Sequence, residues 1–279
     1  KGFVYGLLSL LDADGEWIVQ SNTAAPHTLH LRIAEGVDPA EHLIEMKRRN
    51  WCVDLNGQNF VVISNLIFTA GAVPFDGEGL VLTHCTAQHL SHFMIFSSGG
   101  TANGGRTEGS GISVSGTSNR VQYCTVRDTA GSGLIVSGAG HLITRNHVYN
   151  TDYSATYAVG LKLDGMFNTA TFNTLHDTAR DIVQPTGKGC TAMLNGFYSA
   201  GRLCKDLGAV YAWGTNAQAT NGALTRIAYN WVHDSSANDP LGMGIYIDNY
   251  SRHFQIDHNV VWNFGDLATK TWSDGMRLN

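Results

Sequence analysis

Ile227-Ala228-Tyr229-Asn230-Trp231-Val232-His233-Asp234 returns 29 residues later as Ile256-Asp257-His258-Asn259-Val260-Val261-Trp262-Asn263, with Gly244-Ile245-Tyr246-Ile247-Asp248 between the two. Each copy is a short apolar strand, an Asn, a second short strand and a polar turn. One phrase recurring at this spacing is the signature of coils stacked on copies of themselves. It predicts a rung of a right-handed parallel β-helix, an all-β solenoid of the pectate-lyase-like kind.

Working outward, the residue between the two strands is Asn65, Cys85, Cys124, Asn146, Asn173, Asn230 and Asn259, at steps of 20, 39, 22, 27, 57 and 29 residues. The two long steps each hide an extra rung or a long insertion. Four residues after each later anchor stands a second polar residue: Asp128, Asn150, Asp177, Asp234 and Asn263. Coils about 4.8 Å apart stack equivalent residues into ladders. An inward Asn can bond the coils above and below, and tolerates the left-handed backbone of a tight turn. Alternation in Val121-Gln122-Tyr123 and Ile143-Thr144-Arg145 sends one side chain inward and the next outward. Cys85 and Cys124, standing where Asn stands elsewhere, read as small core residues.

Composition agrees with one elongated coil over residues 51–279, preceded by a capping segment over residues 1–50. No linker divides the 279 residues, and 32 Gly against 5 Pro imply turns made by Gly and Asn. With 15% charged residues, a formal net charge of -5 and a pI near 6.2, the chain has the wrong balance for a phosphate-backbone partner. No apolar run approaches the roughly eighteen residues of a membrane span. Lys1-Gly2-Phe3 opens the sequence and Gly275-Met276-Arg277-Leu278-Asn279 ends it where a rung strand is running, so further rungs or a cap are expected in the natural protein.

Residues 11–19 read as a turn entering a strand, residues 28–33 as a second strand, and residues 39–49 as one or two helical turns or a further strand. The first rung is expected over residues 51–68, turning at Asp54-Leu55-Asn56-Gly57. Residues 97–119, rich in Gly, Ser and Thr, predict a loop with a brief strand at Gly111-Ile112-Ser113-Val114. Residues 185–206 read as a second interruption, expected beside the functional site because loops on one face of a solenoid build binding clefts. Cys190 and Cys204 lie in it, with a disulfide between them left open; an odd total of five cysteines leaves one thiol unpaired.

One outward ladder carries the functional reading. Gly160-Leu161-Lys162-Leu163-Asp164, Ala209-Val210-Tyr211-Ala212-Trp213, Gly244-Ile245-Tyr246-Ile247-Asp248 and Gly275-Met276-Arg277-Leu278-Asn279 align with their apolar residues inward. That leaves Lys162, Tyr211, Tyr246 and Arg277 in one outward file, and Asp164, Trp213, Asp248 and Asn279 in the next. Ile135 and Ser137 occupy these files in an earlier rung. A face that gains rings, carboxylates and cations along its length suits a sugar chain, with Tyr211, Trp213 and Tyr246 as platforms. His233 and His253 are candidates to orient a carboxylate or bind a hydroxyl, and Lys162 to bind a substrate carboxylate or hydroxyl.

Leu11-Asp12 with Gly15-Glu16-Trp17, Gly36-Val37-Asp38-Pro39, Lys47-Arg48-Arg49, Asp206-Leu207-Gly208-Ala209-Val210-Tyr211-Ala212-Trp213-Gly214, the Tyr229 to Asp234 phrase and Gly244-Ile245-Tyr246-Ile247-Asp248 together resemble the bacterial right-handed β-helix carbohydrate-active enzymes. The chain is most similar to the β-helical glycoside hydrolases that include fucosidase and xylanase members, over nearly its whole length. That resemblance implies a secreted or periplasmic hydrolase acting on a poly- or oligosaccharide without a cofactor. It also implies two catalytic acids, which here match Asp206 and Asp248. One carboxylic acid would protonate the leaving oxygen while the other serves as nucleophile or base. The alternative is a polysaccharide lyase, in which Ca²⁺ or Lys162, Arg180 and Arg277 would neutralise a uronate carboxylate. Asp164, Asp181 and Asp206 are too scattered in the sequence to make a Ca²⁺ cage. A third reading is a glycan-binding solenoid without catalysis. No Gly-x-Ser-x-Gly elbow and no Cys-x-x-Cys pair occurs, which removes the nucleophilic-serine and Cys-x-x-Cys zinc readings.

Overall fold

The computed structural model describes residues 7–20, 27–45, 49, 51–55, 57–90, 111–235, 242–266, 271–272 and 275–279. The chain divides into two compact units, Lys1–Arg48 and Arg49–Asn279. In the first, Trp17–Gln20 pairs antiparallel with Thr28–Leu31. It also has 3-10 turns at Leu8–Leu10 and Pro39–Glu41, of which the second begins where the Asp38 carboxylate accepts from the Ala40 N–H at 2.8 Å. Of the helical turns expected over residues 39–49, only this one forms among the described residues.

The second unit is a parallel β-helix. Its chain visits three sheets in turn: sheet A runs from Val62–Ser64 to Phe254–Asp257, sheet B from Ile67–Thr69 to Val260–Trp262, and sheet C from Val73–Glu78 to Met276–Leu278. Each sheet has 8 strands, stacked in sequence order, so the coil makes eight rungs. The sheet A strand of the first rung starts at Val62, later than expected. Residues 51–55 and 57–60 instead lie along the edge of sheet C, with Trp51 bridged to Ala72 and the Phe60 N–H donating to the Glu78 carbonyl.

The two long steps resolve differently. The 39-residue step is one rung carrying an insertion, which includes residues 91–110, outside the described residues. The strand expected at its end forms as Ile112–Thr117. The 57-residue step hides a whole rung, because Thr191–Met193 joins sheet A and Gly196–Ala200 joins sheet B. Residues 185–206 are therefore a regular coil and not an interruption. Their inward residue on sheet A is only an Ala, Ala192, which carries little apolar signal. Cys190 and Cys204 are both free thiols: Cys190 is buried at the entry to sheet A, and Cys204 lies in the turn between sheets B and C.

Inside, equivalent residues stack as ladders. Val121, Ile143, Ala170, Ala192 and Ile227 line sheet A, and Ala87, Val126, Val148, Leu175, Phe197 and Val232 line sheet B, all essentially inaccessible. Each of the larger ones contributes about 1.5–3 kcal/mol of burial. Cys124 belongs to this interior, and burial pushes its thiol up to about 11.

The bend between sheets A and B carries the Asn ladder. Asn146, Asn173, Asn195, Asn230 and Asn259 are linked in series, the side-chain oxygen of each of the last four accepting from the backbone N–H and the amide of the Asn one rung earlier at 2.9–3.0 Å, while that of Asn146 accepts from the Cys124 N–H at 2.9 Å. The left-handed backbone falls one residue earlier, at Tyr123, Arg145, Phe172, Leu194, Tyr229 and His258. Asn65 belongs to that earlier position, since Ser64 pairs with Thr83 and the register then sets Asn65 beside His84. The second polar position is itself left-handed, at Asp128, Asn150, Asp177, Asp234 and Asn263. A second ladder lies at the bend between sheets C and A, where Leu80, Asn119 and His141 donate backbone N–H groups to Asn119, His141 and Asn168 side chains at 2.8–3.0 Å. No helix among the described residues is long and apolar enough to cross a membrane.

Candidate functional site

The register of sheet C assembles the predicted file. Ser113 pairs with Ile135, Ile135 with Lys162, Lys162 with Gln184, and Tyr211 with Tyr246, which in turn pairs with Arg277. Gln184 and Tyr211 follow the Val183–Val210 pair by one step, so Gln184 is the member that the missed rung concealed. The strands approach closely at Gly208: a Cβ there would lie 2.8 Å from the Tyr246 Cβ and 2.7 Å from the Val210 carbonyl oxygen. This is why Gly precedes the apolar-aromatic alternation.

Asp248 is the most elaborately held group on this face. Only 9% exposed, its carboxylate accepts from Tyr211 Oη at 2.9 Å, from the Asn249 N–H at 2.7 Å and from Asn279 Nδ2 at 3.1 Å. Burial opposes ionisation, but these donors together hold Asp248 below the usual carboxylate range. Burial first, and then the Asp248 carboxylate, push the Tyr211 phenol up, so at neutral pH Tyr211 is a donor.

Arg180 ties this carboxylate to the turn carrying Asp206. Its guanidinium lies between two rings, 4.6 Å from the centre of Tyr157 and 4.8 Å from that of Tyr211. It donates to the Asp206 carbonyl at 2.9 Å and to the Asp181 carboxylate at 2.8 Å. Asp181 is fully buried and also accepts from Gln184 and from the Gly208 N–H. Desolvation raises its pKa and the Arg180 charge opposes the rise. Asp181 thus anchors Arg180, out of reach of any ligand. Asp206 is exposed, has a left-handed backbone (φ 55°), and precedes strand Leu207–Ala212, whereas Asp248 follows strand Gly242–Ile247. Both carboxylates act on Tyr246, whose phenol is raised by burial and by Asp248, with a smaller contribution from Asp206.

The other expected residues divide. Trp213 is exposed and meets Tyr250 edge-on, ring centres 6.5 Å apart, making an aromatic corner beside Asp248. Tyr246 is only 6% exposed, beneath Arg277 and edge-on to Tyr211, so it is no open platform. Lys162 lies two rungs before Tyr211 in the same file. Asp164 is turned into its own bend, accepting the Gly165 N–H at 2.8 Å. His253 bonds Asn216 at 2.7 Å in the turn leaving Asp248. His233 is not part of the sheet C file. Strand alternation puts it on the outer face of sheet B, where it bonds Asp234 at 2.8 Å.

There it belongs to a column that sequence reasoning missed. Tyr149, His176, Tyr198, His233 and Trp262 stack rung upon rung, with ring centres 4.1–5.2 Å apart and planes within 14° of parallel. The signal was present as an aromatic or His immediately before the later second polar residues, in Tyr149-Asn150, His176-Asp177, His233-Asp234 and Trp262-Asn263. Tyr157 and Tyr250 were missed because each sits in a bend outside the strand alignment. Among the described residues, no three His, Cys, Asp or Glu side chains are grouped to hold a metal ion. Compared with known proteins, the chain matches no protein-family model and no curated protein sequence.

Proposed function

We propose that this chain is a glycan-cleaving enzyme, a glycoside hydrolase on a right-handed parallel β-helix, with its active site on the outer face of sheet C. The observation that carries this reading is Asp248: a nearly buried carboxylate held ionised by Tyr211, Asn249 and Asn279, beside an exposed aromatic corner. Asp248 would act as nucleophile or base, and Asp206, on the turn that Arg180 holds, as the acid. Trp213 and Tyr250 offer ring faces to a sugar, and Lys162 and Arg277 offer donors for hydroxyls or a carboxylate. Elimination is less well supported, because the Tyr211 and Tyr246 phenols are both shifted toward the protonated form and make poor bases.

The test is a panel of plant and algal polysaccharides and aryl glycosides, read for reducing ends, ultraviolet absorbance and product anomer. We expect reducing ends without absorbance, lost in both Asp206→Asn and Asp248→Asn. An absorbing, unsaturated product that survives both substitutions would establish elimination. Binding without any product would sink the enzymatic reading.

A further inference from the structure

His147 begins its strand on sheet B, and His176 lies one rung further on and two residues along, since His147 pairs with Thr174 and Tyr149 with His176. Their Nε2 atoms face each other at 2.7 Å. His176 Nδ1 is 2.8 Å from the Asp177 carboxylate, which can only accept, so the ring proton sits on Nδ1 and Nε2 carries a bare lone pair. The His176 ring is also fixed in orientation, stacked between Tyr149 (5.2 Å, 3°) and Tyr198 (4.6 Å, 7°). A carboxylate behind one nitrogen and an accepting lone pair on the other, here taken up by the His147 Nε2–H, is the arrangement that orients a metal-ligating histidine.

We propose that His147 and His176 form a bidentate site for a borderline divalent transition ion, Cu²⁺ foremost, with Zn²⁺ and Ni²⁺ following. At metal–nitrogen distances of about 2.0–2.1 Å, the two nitrogens need a separation of about 3 Å. The exposed His147 ring must therefore swing out by only a few tenths of an ångström. In a neutral pair the His147 proton moves from Nε2 to Nδ1, so no net proton is released. Two protein donors leave the remaining coordination positions to water or to an oxygen or nitrogen ligand, so the ion is exchangeable. Hard cations such as Ca²⁺ gain nothing from two imidazoles and are excluded by the same chemistry.

The protein contains its own control. His233 repeats the local pattern, with Asp234 at 2.8 Å and rings stacked on both sides, but the residue in the place of His147 is Gly196. It has the oriented imidazole and lacks the second one.

The experiment titrates the untagged chain with Cu²⁺ alone, followed by electron paramagnetic resonance and calorimetry, with circular dichroism to verify folding. We expect one equivalent bound with two-nitrogen coupling. His147→Ala and His176→Ala should each weaken binding at least tenfold, Asp177→Asn roughly tenfold, and His233→Ala less than twofold. Excess Ca²⁺ should not compete. Folded His147→Ala protein that binds Cu²⁺ within twofold of the parent, or a parent showing no two-nitrogen signal, would overturn the proposal. The test does not depend on any catalytic activity.

Discussion

Replacing Tyr211 by Phe removes one oxygen and leaves the ring against Arg180 and Tyr246 in place. The lost bond is charge-assisted, 2.9 Å long and half-buried, and such bonds contribute about 1.5–3 kcal/mol. Partial solvent access puts the effect at the lower end, about 1.5 kcal/mol. The Asn249 N–H and Asn279 amide remain, so Asp248 should stay ionised at neutral pH while its pKa moves up. The sign follows from linkage. A folded-state pKa below the unfolded value contributes stability above the unfolded pKa, and that stability is lost as pH falls through the folded one. Tyr211→Phe should therefore be less stable than the parent by about 1–2 kcal/mol at pH 7, with the gap closing as pH falls through the folded-state pKa of Asp248. Urea denaturation across pH measures the gap, and carboxyl-selective NMR follows Asp248 itself. If turnover is found, the acid limb of its pH profile should shift up in the same direction. An Asp248 titration unmoved by Tyr211→Phe would refute the reasoning, because the phenol would then not be a donor that sets the carboxylate's charge.

Two further substitutions probe the scaffold. Asn195→Ala should cost about 2–4 kcal/mol in urea denaturation, since Asn195 bonds Asn173 and Asn230 and its loss leaves the buried Asn173 N–H unpaired; a loss below about 0.5 kcal/mol would contradict the ladder. Asp152 is fully buried with Oδ2 unpartnered, and burial pushes it up to about 7. A raised folded pKa contributes stability at acid pH that is lost as pH rises from about 4 through 7. Asp152→Asn should therefore match the parent near pH 4 and exceed it at pH 8 by up to about 4 kcal/mol, and parallel curves would show that Asp152 does not titrate in this range.

The coil was legible in the sequence because a solenoid repeats its environment. Every rung asks for the same inward apolar residue and the same Asn at the same bend, so local pattern and tertiary structure carry one message. That logic fails where a rung meets the demand with weak residues: Ala192 and Gly196 hid a whole coil, and with it Asn195 and Gln184. It also fails by one residue at Asn65, whose side chain suits either place at a bend although the register admits only one.

What the sequence determined by itself was the period, the inward and outward sides of each strand, and therefore the file of Lys162, Tyr211, Tyr246 and Arg277. Strand alternation is a property of the backbone and can be counted along the chain. What only tertiary structure decided was which outward residues meet across rungs and bends. Arg180 and Tyr157 reach the Tyr211 file from other bends, Asp248 gathers donors from three separate positions, and His147 finds His176 on the diagonal of neighbouring rungs. Such meetings depend on side-chain reach across a gap of about 5 Å between coils, and on the angle at which each bend leaves its sheet, neither of which is written in the order of residues.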